Sequence, residues 1–214
     1  PLAGSFGDKI TIITAGDPLL FTPGDDEDSG VYRVGDRAPV SFDGIENAFS
    51  GGAPVIIEGN DHDDRITIVA TGPNSFALRI NDEADKTFTD VTDLTINSLA
   101  GNDEIIVRTI ADWDVDVTVN GGEPAAGSDK VIIEAPGDLN DATYTPTGNE
   151  SGVVAVDATG GTVTVNDVET LVYDGVEGDD TLRVVGTGQA DVIRHRAGST
   201  IDSGDVQVNS RLPI

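Results

Sequence analysis

The sequence has no cysteine and no methionine among its 214 residues, 12 basic residues against 39 acidic ones, and only 5% aromatics. Without cysteine, disulfide scaffolds and thiolate-ligated metals are excluded. A formal charge of −27 argues against nucleic acid, whose phosphates need Lys and Arg opposite them. It suits cations, high salt or solubility. No apolar run approaches the roughly 18–20 residues that span a bilayer, and no signal peptide is visible. Catalysis finds little support. With two histidines, His62 and His195, and no Ser-centred nucleophile elbow, a nucleophilic triad has little to build on. The three lysines (Lys9, Lys86 and Lys130) are poor provision for binding an acidic glycan. The first residue is Pro1, with no initiator Met, which reads as a processed chain or a piece of a larger one.

What remains is ordinary for a folded chain. Hydrophobic residues make up 37% and glycine adds 26 residues, close to the usual globular share, so simple disorder is not expected despite the charge. Val, Ile and Thr together number 63, and Leu only 10. β-branched side chains are stiff at χ1 and pack well on a pleated surface. Short alternating runs recur at Ile10–Ile12, Ile66–Ile68, Val115–Val119, Val163–Val165 and Val206–Val208, punctuated by Gly, Asn and Asp. The expectation is an all-β fold of many short strands.

The chain also repeats itself. Phe21-Thr22-Pro23 matches Tyr144-Thr145-Pro146, Ser29-Gly30-Val31 matches Ser151-Gly152-Val153, and Val40-Ser41-Phe42 matches Val163-Thr164-Val165, at offsets of 122 to 123. Asp63-Asp64 then matches Asp179-Asp180 at an offset of 116. These matches define a module of about 120 residues: copy one at 1–123, and copy two at 124–214, truncated at its C-terminal end. The missing part corresponds to about Leu99 to Glu123. A chain ending inside a repeat is expected to be part of a longer array.

A shorter theme lies within the module. A strand, a Gly-Asx turn and a strand opened by an acidic residue recur, as in Asp64-Arg65-Ile66, Asp103-Glu104-Ile105 and Asp180-Thr181-Leu182. Asp8-Lys9-Ile10 and Asp129-Lys130-Val131 open in the same way. Recurrence of a strand-turn-strand unit favours a parallel β-helix or solenoid-like repeat array, whose rungs bury apolar residues against their neighbours. The rival is a tandem of β-sandwich modules.

The strings at 101–107 (GNDEIIV) and 177–193 resemble repeats of very large secreted or cell-surface proteins of Gram-negative and planctomycete-type bacteria, which often carry haemolysin-type calcium-binding repeats. Only the second half of the calcium nonapeptide pattern is present, at Gly101–Ile105, Gly127–Val131 and Gly178–Leu182. The resemblance implies an extracellular or cell-surface repeat protein and leaves metal binding open.

Calcium is the ligand that these acidic corners suit, because it takes six to eight hard oxygens from carboxylates, amides and water. The candidate metal residues are Asp61, Asp63, Asp64, Asn102, Asp103, Asp129, Asp179 and Asp180. The alternative is that Asx-rich corners end strands and keep sheet edges soluble. The run Asp25–Asp28 reads as a solvated loop, His62 and His195 as exposed residues, and Trp113 as an aromatic cap on a strand start rather than a sugar platform. Arg65 and Arg183 should face outward and pair with neighbouring Asp. Three functions stand open. The first is a non-enzymatic structural segment of a surface layer, matrix, adhesin or filament protein, whose partners are further copies of the module or other subunits. The second is a calcium-dependent module binding polysaccharide or itself. The third is a polysaccharide-degrading β-helix enzyme.

Overall fold

The computed structural model describes residues 8–24, 28–45, 47–51, 54–81, 83, 85–122, 129–135, 137, 141–176, 179–200 and 203–214. Among them there is no helix, and the sheets are open. In chain order the strands are β1 (Lys9–Ile13), β2 (Leu19–Pro23), β3 (Gly30–Val34), β4 (Val40–Phe42), β5 (Asn47–Gly51), β6 (Val55–Glu58), β7 (Arg65–Gly72), β8 (Ser75–Ile80), β9 (Lys86–Thr89) and β10 (Asp93–Asn97). They continue as β11 (Glu104–Arg108), β12 (Asp116–Asn120), β13 (Lys130–Glu134), β14 (Ala142–Pro146), β15 (Gly152–Val156), β16 (Thr162–Asn166), β17 (Thr170–Asp174), β18 (Leu182–Val184), β19 (Ile193–Ala197) and β20 (Gly204–Val208).

Two sheets take up almost all of these strands. The first has the order β1-β5-β9-β8-β7-β11-β13-β17, and the second β18-β14-β15-β16-β12-β10-β6-β2-β3-β4. The chain passes back and forth between them, so strands that return to a sheet pair in parallel with earlier ones. Between β10 and β13 it alternates strictly: second sheet, first, second, first. At three places it stays in one sheet and adds an antiparallel meander: β2-β3-β4, β7-β8-β9 and β14-β15-β16. Each such reversal has turn chemistry in its loop, such as Gly72-Pro73-Asn74 between β7 and β8. The pattern is therefore mixed, where the repeated theme alone implies purely parallel rungs.

Register explains why β-branched residues dominate. In the second sheet Leu19, Val55, Leu94, Val117 and Val163 lie side by side across five strands. Two residues further on, Phe21, Ile57, Ile96, Val119 and Val165 form a second row. The first sheet has matching rows, Ile66-Ile105-Val131-Leu171 and Ile68-Val107-Ile133-Tyr173. Apart from Tyr173, which is half-buried, all of these are buried, and both sheets feed one core. Each Val or Ile so buried contributes roughly 1.5–3 kcal/mol. An aromatic group of Phe21, Tyr32, Phe42, Phe76 and Phe88 fills the end near β3, with the Phe76 and Phe88 rings stacked 4.9 Å apart. Trp113 is buried in the same core at 1% exposure. Standing just ahead of β12, its ring is part of the packing and offers no sugar platform.

The pairing repeats along the chain. The set β6-β2-β3-β4 has the same order and directions as β18-β14-β15-β16. The set β1-β5 corresponds in the same way to β13-β17. The seam between the two sets is made by β11 with β13 and β12 with β16, both parallel and in register.

Candidate functional site

The sequence-predicted acidic residues gather where chain leaves the second sheet and enters the first. Asp64, Asp103, Asp129 and Glu169 each stand immediately before a parallel strand: β7, β11, β13 and β17. They are joined in one direction. The Asp64 amide donates to Asp103 Oδ1 at 2.8 Å, the Asp103 amide to Asp129 Oδ1 at 3.0 Å, and the Asp129 amide to Glu169 Oε2 at 2.9 Å. The carbonyls continue the ladder, since Glu104, Lys130 and Thr170 donate their amides to the Asp64, Asp103 and Asp129 carbonyls at 2.8, 2.8 and 3.0 Å. Each carboxylate thus extends a parallel ladder by one rung past the end of its strand. Buried amides need such partners, and a charged acceptor makes a stronger bond than a carbonyl.

A second ladder flanks the first on the strands just before these corners. Asn120 Nδ2 donates to Asn97 Oδ1 at 2.8 Å, and Asn166 Nδ2 to Asn120 Oδ1 at 3.0 Å. Such stacked amides require identical residues at identical rungs. Asn97, Asn120 and Asn166 meet that condition because β10, β12 and β16 are in register.

The three aspartates are buried, Asp64 and Asp129 to 3% exposure and Asp103 to 1%. Their environments differ. Asp64 is well served: the Asn60 amide, Asn60 Nδ2 and Asn81 Nδ2 donate to it at 2.9, 3.0 and 2.9 Å. Asp103 accepts the Asp64 amide on Oδ1, but Oδ2 has no hydrogen-bond partner among the described residues. Ser98 lies close by, yet its hydroxyl donates to the Gly121 carbonyl at 2.6 Å. Burial raises the Asp103 pKa to about 6, and the neighbouring Asp129 and Asp64 charges add to it against the bond from the Asp64 amide. Burial also raises Asp129, opposed by the bond from the Asp103 amide.

The remaining candidates stand apart from this row. Asp61 and Asp63 are exposed. Asp63 Oδ1 accepts the Asn102 amide and Asn102 Nδ2 at 2.8 and 3.0 Å, tying two adjacent corners together on the outside. Asp179 is exposed and Asp180 half-buried ahead of β18. Of Asp25–Asp28, only Asp28 lies within the described residues, as do only parts of the half-motifs at 127–131 and 178–182. Asp64, Asp103 and Asp129 spend an oxygen each on an amide, and among the described residues no three His, Cys, Asp or Glu side chains are grouped to hold a metal ion. His62 is exposed with Nδ1 2.9 Å from Asn60 Oδ1, and His195 is exposed on β19. Arg65 pairs with Glu104 at 3.0 Å and Arg108 with Glu134 at 2.5 Å, while Arg37 and Arg79 pair with Asp17 and Asp85, each at 2.7 Å. Exposed pairs of this kind contribute about 0–1 kcal/mol.

One recurring device was not recognised in the sequence. A glycine followed five residues later by an acid closes the corner, with the carboxylate lying against the glycine where a Cβ would sit. It occurs at Gly59 with Asp64, Gly175 with Asp180, and Gly186 with Asp191. The Gly186 corner reproduces the Gly59 corner bond for bond. The Thr187 amide and hydroxyl donate to Asp191 as the Asn60 amide and side chain donate to Asp64. Asn209 Nδ2 donates to Asp191 as Asn81 Nδ2 does to Asp64. Asn209 Oδ1 accepts the Val192 amide as Asn81 Oδ1 accepts the Arg65 amide. Both asparagines have left-handed backbone, φ 58° and 53°, which Asn tolerates. The counterpart of Asp64 is therefore Asp191, an offset of 127 (191 minus 64). The match of Asp63-Asp64 with Asp179-Asp180 is corrected: Asp180 precedes β18, the counterpart of β6, and not the counterpart of β7. The signal was available in the Gly-x4-Asp spacing. No known protein family, curated protein or solved structure matches this chain.

Proposed function

We propose that this chain is a non-enzymatic structural segment of an extracellular or cell-surface repeat protein, a solenoid-like stack that adds length by repeating one module. The observation that supports it is the seam. Where the first set of strands meets the second, β11–β13 and β12–β16 pair in the same direction and register as strands within a set. The carboxylate and asparagine ladders cross that seam through Asp103–Asp129 and Asn120–Asn166 without interruption. Linked β-sandwiches would each complete their own sheets and meet at a loop. Here the repeat boundary is a stretch of continuous sheet, as quasi-one-dimensional stacking requires. The acidic surface keeps such a stack soluble and separates neighbouring stacks. The chain's own amides occupy the acidic corners, so the stack holds without calcium in this reading. The surface location is tested by antibodies against the chain applied to intact and to opened cells of the source organism. Label on intact cells, lost on brief protease treatment of the cell surface, is expected. Label only after opening would overturn the location.

A further inference from the structure

We infer that the outer edges of β17 and β20 form a docking slot for one extended strand with the chemistry of Thr87–Thr89, supplied by an adjoining module of the same repeat; this rests on the modular reading above. In the first set, β9 lies between β5, its parallel neighbour, and β8, its antiparallel one. In the second set, β17 is the counterpart of β5, and β20 is the counterpart of β8 through the shared Asn81 and Asn209 bonds. The described residues give β17 a single strand neighbour, β13.

The register of the incoming strand is already set by one residue. Leu78 pairs with Lys86 across β8 and β9. At the corresponding place Val206 donates its amide to the Ile214 carbonyl at 2.8 Å and accepts the Ile214 amide at 3.1 Å. Both residue pairs lie at an offset of 128 (206 minus 78, and 214 minus 86). Ile214 thus occupies the first rung of a β9-type strand. Its seat is firm: Leu212 is 1% exposed, the Leu212 amide donates to the Gly148 carbonyl at 3.0 Å, and Tyr144 OH donates to the Leu212 carbonyl at 2.7 Å. The rungs beyond, at Asp205 and Gly204, correspond to Ala77 and Phe76, which pair with Thr87 and Phe88.

Gly204 stands where Phe76 stacks on Phe88 in the first set, with the His195 ring lying against it where a Cβ would sit, so the incoming strand's second inward residue, an aromatic like Phe88, meets glycine backed by that ring. Because Ile214 already holds the Lys86 rung, the incoming strand has the chemistry of Thr87–Thr89, two β-branched residues about one inward aromatic and no charge. It adds main-chain bonds on both sides, as strand addition does at an open sheet edge.

The test joins a second copy of residues 87–122 directly after Ile214 of the full chain and follows amide exchange by mass spectrometry. A control carries the same graft with one serine inserted, which turns every side chain to the opposite face. The direct graft is expected to slow exchange in β17 and β20 at least tenfold and the shifted graft to leave it unchanged. Equal effects of the two, or none from either, would overturn the slot. Should a graft aggregate, a peptide of residues 87–97 added to the unmodified chain at millimolar concentration gives the second reading. Slowed exchange confined to β17 and β20 supports the slot, and unchanged exchange overturns it. Neither result bears on whether intact cells carry the protein at their surface, so the two readings fail separately.

Discussion

Replacing Asp103 by Asn should stabilise the protein at neutral pH and do nothing at pH 4. Asn has nearly the same shape, and its Oδ1 still accepts the Asp64 amide that Asp103 accepts at 2.8 Å. What it removes is the ionisation of a group that is 1% exposed and has one oxygen without a partner among the described residues. The carboxyl has a pKa of about 6 in the fold against an ordinary 3.8. Between these values the folded chain holds a proton that the unfolded chain has released, so stability falls as pH rises through this window. Below pH 4 both states are protonated, and above pH 6 both are ionised. At neutral pH the ionised fold is therefore about 3 kcal/mol worse off than it would be with a neutral group there. Asn is permanently neutral, so the variant's advantage should grow from about zero at pH 4 to about 3 kcal/mol above pH 6.5. For a chain of this size that amounts to a rise in unfolding midpoint of roughly 6–12 °C. Urea or thermal unfolding of the two proteins at five pH values between 4 and 8 measures it, and titrating groups that do not couple to Asp103 cancel in the difference. A difference that stays constant with pH would refute the reasoning. So would an Asn variant less stable at pH 7.5 than at pH 4 relative to the parent, because that would make the Asp64 bond to a charged acceptor outweigh burial.

Asp64→Ala should cost about 1–3 kcal/mol, since three donors at 2.9 to 3.0 Å lose their acceptor; urea unfolding measures it, and enhanced exchange at Asn60 should accompany the loss. Val119→Asp places a charge in the row Phe21-Ile57-Ile96-Val119-Val165 that crosses the seam. A loss above about 4 kcal/mol is expected, and both halves should fall in one transition followed by calorimetry; a second half that unfolds at its original temperature would contradict a continuous stack. Calcium at millimolar concentration, compared with magnesium and with chelator at equal ionic strength, should leave the unfolding midpoint unchanged to within about 1 °C. A site filled to 100 times its dissociation constant would instead add about 2.7 kcal/mol.

Much of the fold was legible from residue type and spacing. Alternation marked β1 at Ile10–Ile12, β7 at Ile66–Ile68, β12 at Val117–Val119 and β16 at Val163–Val165, because one-sided burial imposes a period of two. The acid that opens a strand marked Asp64, Asp103 and Asp129 as a class. Their use was not legible. Whether a carboxylate binds a cation or an amide depends on what lies one coil away, and Asp64 meets Asp103 across 39 residues of chain. Glu169 has no local mark for the same reason: it accepts from Asp129 40 residues earlier, and nothing in its local sequence distinguishes it from the chain's other glutamates. Trp113 heads the alternating series Trp113, Val115, Val117 and Val119, which turns its ring inward despite the flanking Asp112 and Asp114. The offset of 116 arose because the two copies space β5–β6 and β17–β18 differently, by 3 and 7 intervening residues (52–54 and 175–181), so that an Asp-Asp pair coincided without equivalence.

The carboxylate row is a poor way to gain stability and a good way to fix register. Asp103 and Asp129 repel one another and both lose hydration, so an apolar row would hold the corner more cheaply. An apolar row, however, tolerates sliding. Valine opposite isoleucine is as good at one rung as at the next, and the four apolar rows consist of little else. The strands in these rows are four to eight residues long, and a shift by two residues would keep inward side chains inward. It would also leave an amide at each of three corners without the Asp103, Asp129 or Glu169 oxygen that now accepts it. Each such loss costs about 1–3 kcal/mol when buried. The asparagine row adds the same demand, since a two-residue slip sets Asn120 against Thr95 in place of Asn97. Polar rows at the ends of the strands therefore carry the discrimination that the apolar middle lacks. A module built this way aligns with its neighbour through the same rungs that align its own coils, so copies can be added without a new interface for each one.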